Sequence, residues 1–488
     1  MRNTIPPQLQ LGEVSIVDIV IDTRSRDDIP QLLRGLQHLY TTESVRDEIF
    51  VLLEGLMPDD TSTEHGRPGM SLWNIFVMGM LRLNLNCDFD RLLELVNQHK
   101  TIRQMLGHGL ADDDQMYSLQ TVKDNIQQFT PEVLDKINQI VVREGQSLKK
   151  NTELSARCDS FVLETDVHFP TDISLLYDAM RKIIKLTADY AGNHNIVGWR
   201  QYQYHIKKIK RACRKAQQLK RSSSKNEAKK HDREILIQQA HQDYIGQSLD
   251  LIIKSEATLS LKVETPHIVD CTLALEIKGY IAHAQRQIDQ IQRRVLKGEK
   301  IPHNEKVFSI FEPHTEWISK GKAGVAVELG LKVCIVEDSQ GYILHHRVMQ
   351  NETDNQIAIS IIKETKQRYP ELSACSFDKG FHSPENQIEL AKIIDDVVLP
   401  KKGKCNKQEQ TRESDPEFKI SKRKHSAVES GINALEVHGL DICRDRGIKG
   451  FKRYVAMAIV ARNIQKMGSQ ILRDILKKED AQRLSEAA

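Results

Sequence analysis

One short β-prone segment, set between two long helical stretches, most constrains what this chain can fold into. Phe161–Leu163, together with Thr165 and Val167, favours a buried strand that ends before Pro170. A helical pattern follows at once from Asp172. Because a strand must pair with other strands and these appear only in the C-terminal part of the sequence, the fold has to join distant segments into one sheet.

The first 150 residues have helical periodicity. Apolar stripes at helical spacing run through Leu72–Leu83 and Phe89–Val96, and Thr130-Pro131 is a typical helix start. Short helices joined by polar turns can form a DNA-reading helix-turn-helix, and they can equally form a bundle without a ligand. We predict an all-helical N-terminal domain at 1–150, with DNA binding as its hypothetical role.

A second helical stretch extends from about 173 to 300 and is predicted to be an insertion after the first core strand. Apolar residues from Ile277 to Val295 recur at steps of four and three, which is typical of a helix seam that packs within its own molecule. Earlier in the insertion lies the densest basic tract of the chain. Such a tract contacts DNA phosphates or forms a solvated helix face. Its candidate DNA-binding residues are Lys207, Lys208, Lys210, Arg211, Arg214 and Lys215.

Strand patterns dominate after residue 307. With the insertion set aside, the order β-β-β-α-β-α-β-α predicts a mixed α/β sheet with helices on both faces. A polar, lysine-rich loop is predicted at 401–424. The segments behind this order are a hairpin over Val325–Val336 and Tyr342–Val348, a helix from Asp354, a strand at Leu372–Phe377, a helix from Pro384, a strand at Ile394–Leu399, and helices from His425 and from Lys449 to Ile475.

Three carboxylates occupy matching positions in this arrangement. Asp166 and Asp378 each follow a predicted strand, and Glu429 lies on a helix that can cross the same edge of the sheet. Three acidic groups in one place repel each other unless a cation lies among them, which indicates a divalent metal such as Mg²⁺. Glu436 lies two helical turns beyond Glu429 on the same face and is an alternative ligand.

The segments that carry these carboxylates are similar to a known enzyme class. In order, they resemble the three acidic motifs of bacterial insertion-sequence DDE transposases, and they are most similar to the ISNCY group. The similarity covers about Asp159 to Gly468, and the N-terminal helices resemble the corresponding region of these enzymes. The matching segments are Thr165–Asp172, Ser376–Phe381, His425–Ser430 with Asn433, Leu435 and His438–Leu440, and also Phe308–Trp317.

The resemblance implies an RNase H-like catalytic domain at 159–475, built on a mixed five-stranded sheet. It also implies two Mg²⁺ ions, for which Mn²⁺ can substitute, cleavage at the element ends, and joining of the freed 3′-hydroxyl to target DNA. Asp166, Asp378 and Glu429 would be the catalytic metal ligands. Many relatives carry Lys or Arg where this chain has Glu436. The resemblance therefore does not identify the residue that binds the terminal phosphate near the third motif.

Other residues are assigned supporting roles. His168 and Asp172 flank the first predicted carboxylate and are candidate hydrogen-bond partners of the metal ligands, although turn formation explains them equally well. Candidate phosphate contacts near the acidic motifs are Lys379, Lys422, Arg423 and Lys424.

Composition sets the remaining expectations. The net charge is only +3, so DNA contacts must come from local clusters, and the eight cysteines form no C-x-x-C pair, which fits a reducing cytoplasm. We expect a cytoplasmic, nucleoid-associated protein without a membrane segment, which binds double-stranded DNA as a homodimer at paired element ends. Two alternatives are a catalytically inactive DNA-binding protein derived from a transposase and a simple RNase H-like nuclease.

Overall fold

The structure is a computed structural model that describes residues 2–5, 12–57, 69–109, 116–149, 154–220, 227–261, 268–319 and 326–487. Its contacts divide the chain into two compact units. The sheet unit comprises Met1–Asp166 and Ile318–Ala488, and the insertion unit comprises Val167–Trp317. The insertion predicted at 173–300 lies within the insertion unit. The boundary predicted near residue 150 does not separate two units, because the N-terminal helices belong to the sheet unit.

The N-terminal helices begin where short polar side chains can cap them. Asp27, Ser71, Asp88, Ser118 and Thr130 each accept a hydrogen bond from a backbone N–H group of the following first turn. The helices predicted at Leu72–Leu83, at Phe89–Val96 and from Thr130-Pro131 are confirmed, and the described residues of this region contain further helices. In chain order the helices are α1 (Asp28–Thr41), α2 (Glu43–Glu54), α3 (Leu72–Asn84), α4 (Phe89–Gln98), α5 (Lys100–Met105), α6 (Leu119–Ile126) and α7 (Pro131–Ser147).

The first strand is longer than its apolar centre predicts. It is β1 (Leu154–Thr165), and it leads into the insertion unit, where Thr171 and Ser174 form a reciprocal capping box at the start of the first helix. The insertion helices are α8 (Asp172–Asn193), α9 (Tyr202–Lys220), α10 (Glu227–Ser260) and α11 (Ile268–Ile291).

The predicted C-terminal hairpin, helices and strands are present, with one correction. The lysine-rich segment 401–424 is largely helical rather than a loop, because Asn406 and Asp415 cap two short helices there. The elements are β2 (Glu316–Ser319), β3 (Val327–Asp338), β4 (Ile343–Val348), α12 (Asp354–Arg368), β5 (Leu372–Phe377), α13 (Pro384–Leu390), β6 (Asp396–Val398), α14 (Lys407–Ser414), α15 (Pro416–His425), α16 (Ala427–Leu435), β7 (Ile442–Cys443) and α17 (Gly447–Ala487).

The predicted mixed sheet is confirmed, and it has seven strands among the described residues instead of five. Its central path is β4-β3-β1-β5-β6. β1 runs antiparallel to β3, and β3 runs antiparallel to β4. β1 runs parallel to β5, and β5 runs parallel to β6. β2 also pairs with β3, and the short β7 pairs with β1.

Buried amides attach the N-terminal and C-terminal helices to the sheet. Asn138 on α7 and Asn463 on α17 both donate a side-chain N–H to the carbonyl of Ile343 on β4, over 2.9 and 3.0 Å. Asn463 also accepts the N–H of Ile343. Because an unpaired buried polar group is costly, these bonds fix both helices on the edge strand. One apolar core spans α1 to α7, the sheet and α17.

Two glycines allow α1 and α17 to pack backbone against backbone. A Cβ at Gly35 would lie 2.2 Å from the carbonyl oxygen of Ile464, and one at Gly468 would lie 1.9 Å from the carbonyl oxygen of Gln31. No side chain fits at these distances. The first helix of the chain is therefore held directly against the last.

The insertion unit has a separate core, formed mainly between α8 and α11. The predicted seam is confirmed as intramolecular. Its residues Ile277, Ile281, Ala284, Ile288 and Ile291 are buried in that core. No helix in the described ranges has both the length and the apolar character needed to cross a membrane.

We predict that Gly468→Ala lowers the free energy of unfolding of the sheet unit by about 1 to 3 kcal/mol, because the methyl group must displace the α1 backbone. Hydrogen exchange in α1 and α17 at increasing urea measures the loss. Gly55→Ala is the control, since its nearest contact would be an ordinary 3.5 Å. An equal effect of both substitutions would contradict the close packing.

Candidate functional site

The pairing of β1 with β5 identifies which carboxylates meet. These parallel strands pair Arg157 with Ser376 and Cys158 with Phe377. The next position on β1 is Asp159, and the next residue after β5 is Asp378. The register therefore sets Asp159, rather than Asp166, level with Asp378.

Asp159 and Asp378 share one face of the sheet. Side chains alternate along a strand, so Asp159 points to the same side as Arg157, and Asp378 continues the side of Ser376. On that side Arg157 Nη1 lies 3.4 Å from Oε2 of Glu337 on β3. Burial raises the pKa of Glu337 to about 7, although Arg157 acts in the opposite direction.

Glu429 reaches this face through α16, whose first turn contains it. The helix lies close to the sheet because Gly431 has no side chain, and a Cβ there would be 2.4 Å from Oε1 of Glu337. Electrostatics links the three carboxylates. The pKa of Asp159 is raised to about 6, first by burial and also by repulsion from Asp378 and Glu429, against a hydrogen bond from the Ser160 N–H.

A fourth carboxylate, Asp354, borders the site at the start of α12. Gly380 lies between Asp354 and Asp378, since a Cβ on this glycine would be 3.2 Å from Oδ2 of Asp354 and 3.6 Å from Oδ2 of Asp378. The distance between the two carboxylate oxygens is therefore at most about 7 Å. Asp354 also raises the pKa of Asp159. It differs from the other three carboxylates because Lys332 Nζ lies 2.7 Å from it and Ser160 Oγ donates a second 2.7 Å bond.

The prediction that Asp166 lies beside Asp378 is wrong. Asp166 follows the last residue of β1 and is exposed, seven positions beyond Asp159. At the usual strand rise this is about 23 Å along the strand, far too long for two carboxylates to share an ion.

His168 and Asp172 form bonds within the insertion unit. His168 Nε2 lies 2.6 Å from Oδ2 of Asp178, and Asp172 accepts a 2.6 Å bond from Nε of Arg294. All four residues belong to the insertion unit. These bonds stabilise the insertion unit and favour the structural role of His168 and Asp172 over the role predicted for them beside the metal ligands.

Glu436 lies at the opposite end of α16 from Glu429. It begins a π-helical turn, Glu436–Leu440, seven residues and about 10 Å along the helix axis from Glu429. The pKa of Asp159 responds to Glu429. This favours Glu429 over Glu436 as the third member of the cluster.

The predicted phosphate contacts are divided between the two units. In the sheet unit, Lys379 directly follows Asp378, and Lys422, Arg423 and Lys424 form the exposed last turn of α15, which contacts β5. In the insertion unit, α9 buries Ile209, Cys213 and Ala216 and exposes its cations on the opposite side. These exposed cations are Lys207, Lys208, Lys210, Arg211, Arg214 and Lys215.

The chemistry of Asp159, Asp378 and Glu429 fits a divalent cation, because mutually repelling carboxylate oxygens are the preferred ligands of Mg²⁺. Within the described ranges no three His, Cys, Asp or Glu side chains already stand close enough together to hold an ion. Asp378 and Glu429 are exposed side chains that can change rotamer to approach one.

Comparisons of the chain with protein-family models, curated proteins and solved structures found no match.

We predict that Asp159→Asn stabilises the sheet unit at neutral pH. The pKa of Asp159 in the folded chain is about 6, above the ordinary value of 3.8, so the folded state favours the protonated carboxyl. The contribution of this group to the free energy of unfolding is therefore complete below pH 3.8 and is lost as the pH rises through 6. The variant should therefore unfold with a free energy on the order of 2 kcal/mol above wild type at pH 8.

Hydrogen exchange in β1 at increasing urea, at pH 4 and pH 8, measures this difference. Asp166→Asn removes the same charge from an exposed position, and its free energy of unfolding should equal that of wild type at both pH values. A gain for Asp159→Asn that is equal at pH 4 and pH 8 would contradict the repulsive cluster.

Proposed function

We propose that the chain is a DDE-type DNA transposase of the RNase H-like fold, with Asp159, Asp378 and Glu429 as its catalytic carboxylates. The observation that carries the proposal is the β1–β5 register, which sets Asp159 level with Asp378 beneath the helix of Glu429. The resemblance of the segments around Asp378 and Glu429 to the second and third acidic motifs of these enzymes supports it.

The order of the strands supports the same fold. On one side of β1 lies the antiparallel strand β3, which pairs in turn with β4, and on the other side lie the two parallel strands β5 and β6. This order agrees with the one expected for an RNase H-like sheet. In that arrangement the first carboxylate lies within the central strand and the second follows the adjacent parallel strand, as Asp159 and Asp378 do.

The proposed chemistry is displacement at a phosphodiester. Two bound Mg²⁺ ions would activate the attacking water or 3′-hydroxyl and stabilise the leaving oxygen. The carboxylates of Asp159, Asp378 and Glu429 would hold these ions, and Lys379 and the cations at the end of α15 would bind the phosphates on either side. Lys332 restricts Asp354, which leaves the other three acids as the ligands.

Duplex binding beyond the site is assigned to α9 in the insertion unit. Six exposed cations, on the side of α9 opposite its buried residues, can neutralise successive phosphates without reading sequence. Because two element ends must be paired for joining, a homodimer on DNA is part of the proposal.

We predict that Asp159→Asn, Asp378→Asn and Glu429→Gln each reduce DNA cleavage by about a thousandfold or more, because each removes a charged ligand. Asp166→Asn and Glu436→Gln are matched controls that should keep activity near wild type. The assay uses labelled element-end DNA, target plasmid and Mg²⁺ or Mn²⁺. Full activity of Asp159→Asn, or loss in Asp166→Asn, would contradict the assignment.

The same assay separates the alternatives. Joined product supports a transposase, cleavage without joining indicates a simple nuclease, and binding without cleavage by wild type indicates an inactive DNA-binding protein.

We predict that replacing Lys207, Lys208 and Arg211 with Gln weakens duplex binding and lowers the slope of log K against log salt by about 2 to 3. Fluorescence anisotropy over a salt series measures this change. The control replaces Lys477, Lys478 and Arg483 with Gln. These residues are exposed near the end of α17, and their replacement removes the same net charge. Equal slopes for the two triple variants would rule out a specific α9 contact.

A further inference from the structure

A side-chain hydrogen bond connects β5, which is followed by Asp378, to α15, which is followed by the helix that carries Glu429. Nδ1 of His425 lies 3.0 Å from Oγ of Ser376. Ser376 is buried on β5, two residues before Asp378, and His425 is the last residue of α15, four residues before Glu429. Sequence reasoning gave neither Ser376 nor His425 a role.

The connection from His425 to Glu429 is short and rigid. Ser426, which lies between α15 and α16, has helical φ and ψ of −57° and −18°. Its carbonyl accepts the N–H of Glu429 over 3.2 Å, which ties the first turn of α16 to the junction. A displacement of the His425 ring is therefore transmitted to Glu429 through a chain segment that has little freedom of its own.

The environment of His425 places the ring against the acidic site. Burial lowers the pKa of His425, the positive charge of Arg157 also lowers it, and the charges of Asp378 and Glu429 raise it. The ring thus lies within electrostatic reach of both acids. Its attachment, however, is to the neutral hydroxyl of Ser376 and not to a carboxylate.

We propose that His425 is a positioning residue that holds α16 at the distance from β5 at which Glu429 and Asp378 can share a divalent cation. This inference rests on the proposed function, because it concerns the same carboxylates. The bond to Ser376 sets the separation before metal binds, so the mutual repulsion of the acids does not push α16 away from the sheet.

The test measures Mn²⁺ binding to the full-length protein without DNA, by electron paramagnetic resonance. We expect His425→Ala and Ser376→Ala each to weaken Mn²⁺ binding about tenfold. The double variant should be no weaker than either single variant, because both remove one bond. The same variants should need more Mn²⁺ for half-maximal cleavage and recover much of the wild-type rate at saturating metal.

Two conservative variants separate positioning from general damage to the fold. His425→Asn places an amide atom near the position of Nδ1 and should restore binding, whereas His425→Gln places its amide near Nε2 and should behave like His425→Ala. Wild-type Mn²⁺ affinity in His425→Ala, additive losses in the double variant, or rescue by Gln instead of Asn would each overturn the inference. Absence of Mn²⁺ binding and cleavage in wild type would instead refute the proposed function.

Discussion

The parallel pairing of β1 with β5 is the constraint on which the rest of the structure depends. From Ser155 onward the β1–β5 ladder keeps one register, in which Cys158 lies opposite Phe377. A shift of one residue would turn the polar side of β1 into the core and expose its buried side. The burial of Leu154, Ala156 and Cys158 therefore fixes the position of Asp159 relative to Asp378.

The rest of the sheet unit keeps charged groups close together against their repulsion. Asp159 and Glu337 both have raised pKa values because they are largely buried, and for Glu337 the charge of Arg157 offsets part of that cost. The energy to hold them comes from the apolar core that α1 to α7 and α17 share with the sheet. Asn138 and Asn463 then keep α7 and α17 from sliding along β4. The N-terminal helices thus belong to the framework of the site.

Sequence patterns predicted elements that are uniformly apolar and clearly bounded. Leu372–Phe377 was predicted with the observed bounds because four of its six residues are apolar, it follows Pro370, and Asp378 ends it. The start of β1 was missed because Arg157 and Asp159 interrupt its hydrophobic pattern. The signal was an alternation, in which Leu154, Ala156 and Cys158 face the core between polar neighbours. The first carboxylate was consequently assigned to the end of the apolar segment, seven residues too late.

Contacts between distant segments could not be predicted from local patterns. The lysine-rich segment 401–424 has almost no apolar residues to mark its helices, and only the caps at Asn406 and Asp415 indicate where they begin. The bond between Ser376 and His425 joins residues whose spacing in sequence carries no periodic signal. Such contacts depend on the strand register, which is a property of the assembled sheet.

The central claim is that a bound divalent cation lies beside Asp159 and not beside Asp166. Localised backbone cleavage tests it most directly, because Fe²⁺ in place of Mg²⁺ generates hydroxyl radicals at the site, and mass spectrometry locates the cuts. The account predicts cuts near Asp159, Asp378 and Glu429 that excess Mg²⁺ suppresses. Cuts centred on Asp166, without any near Asp159, would contradict it.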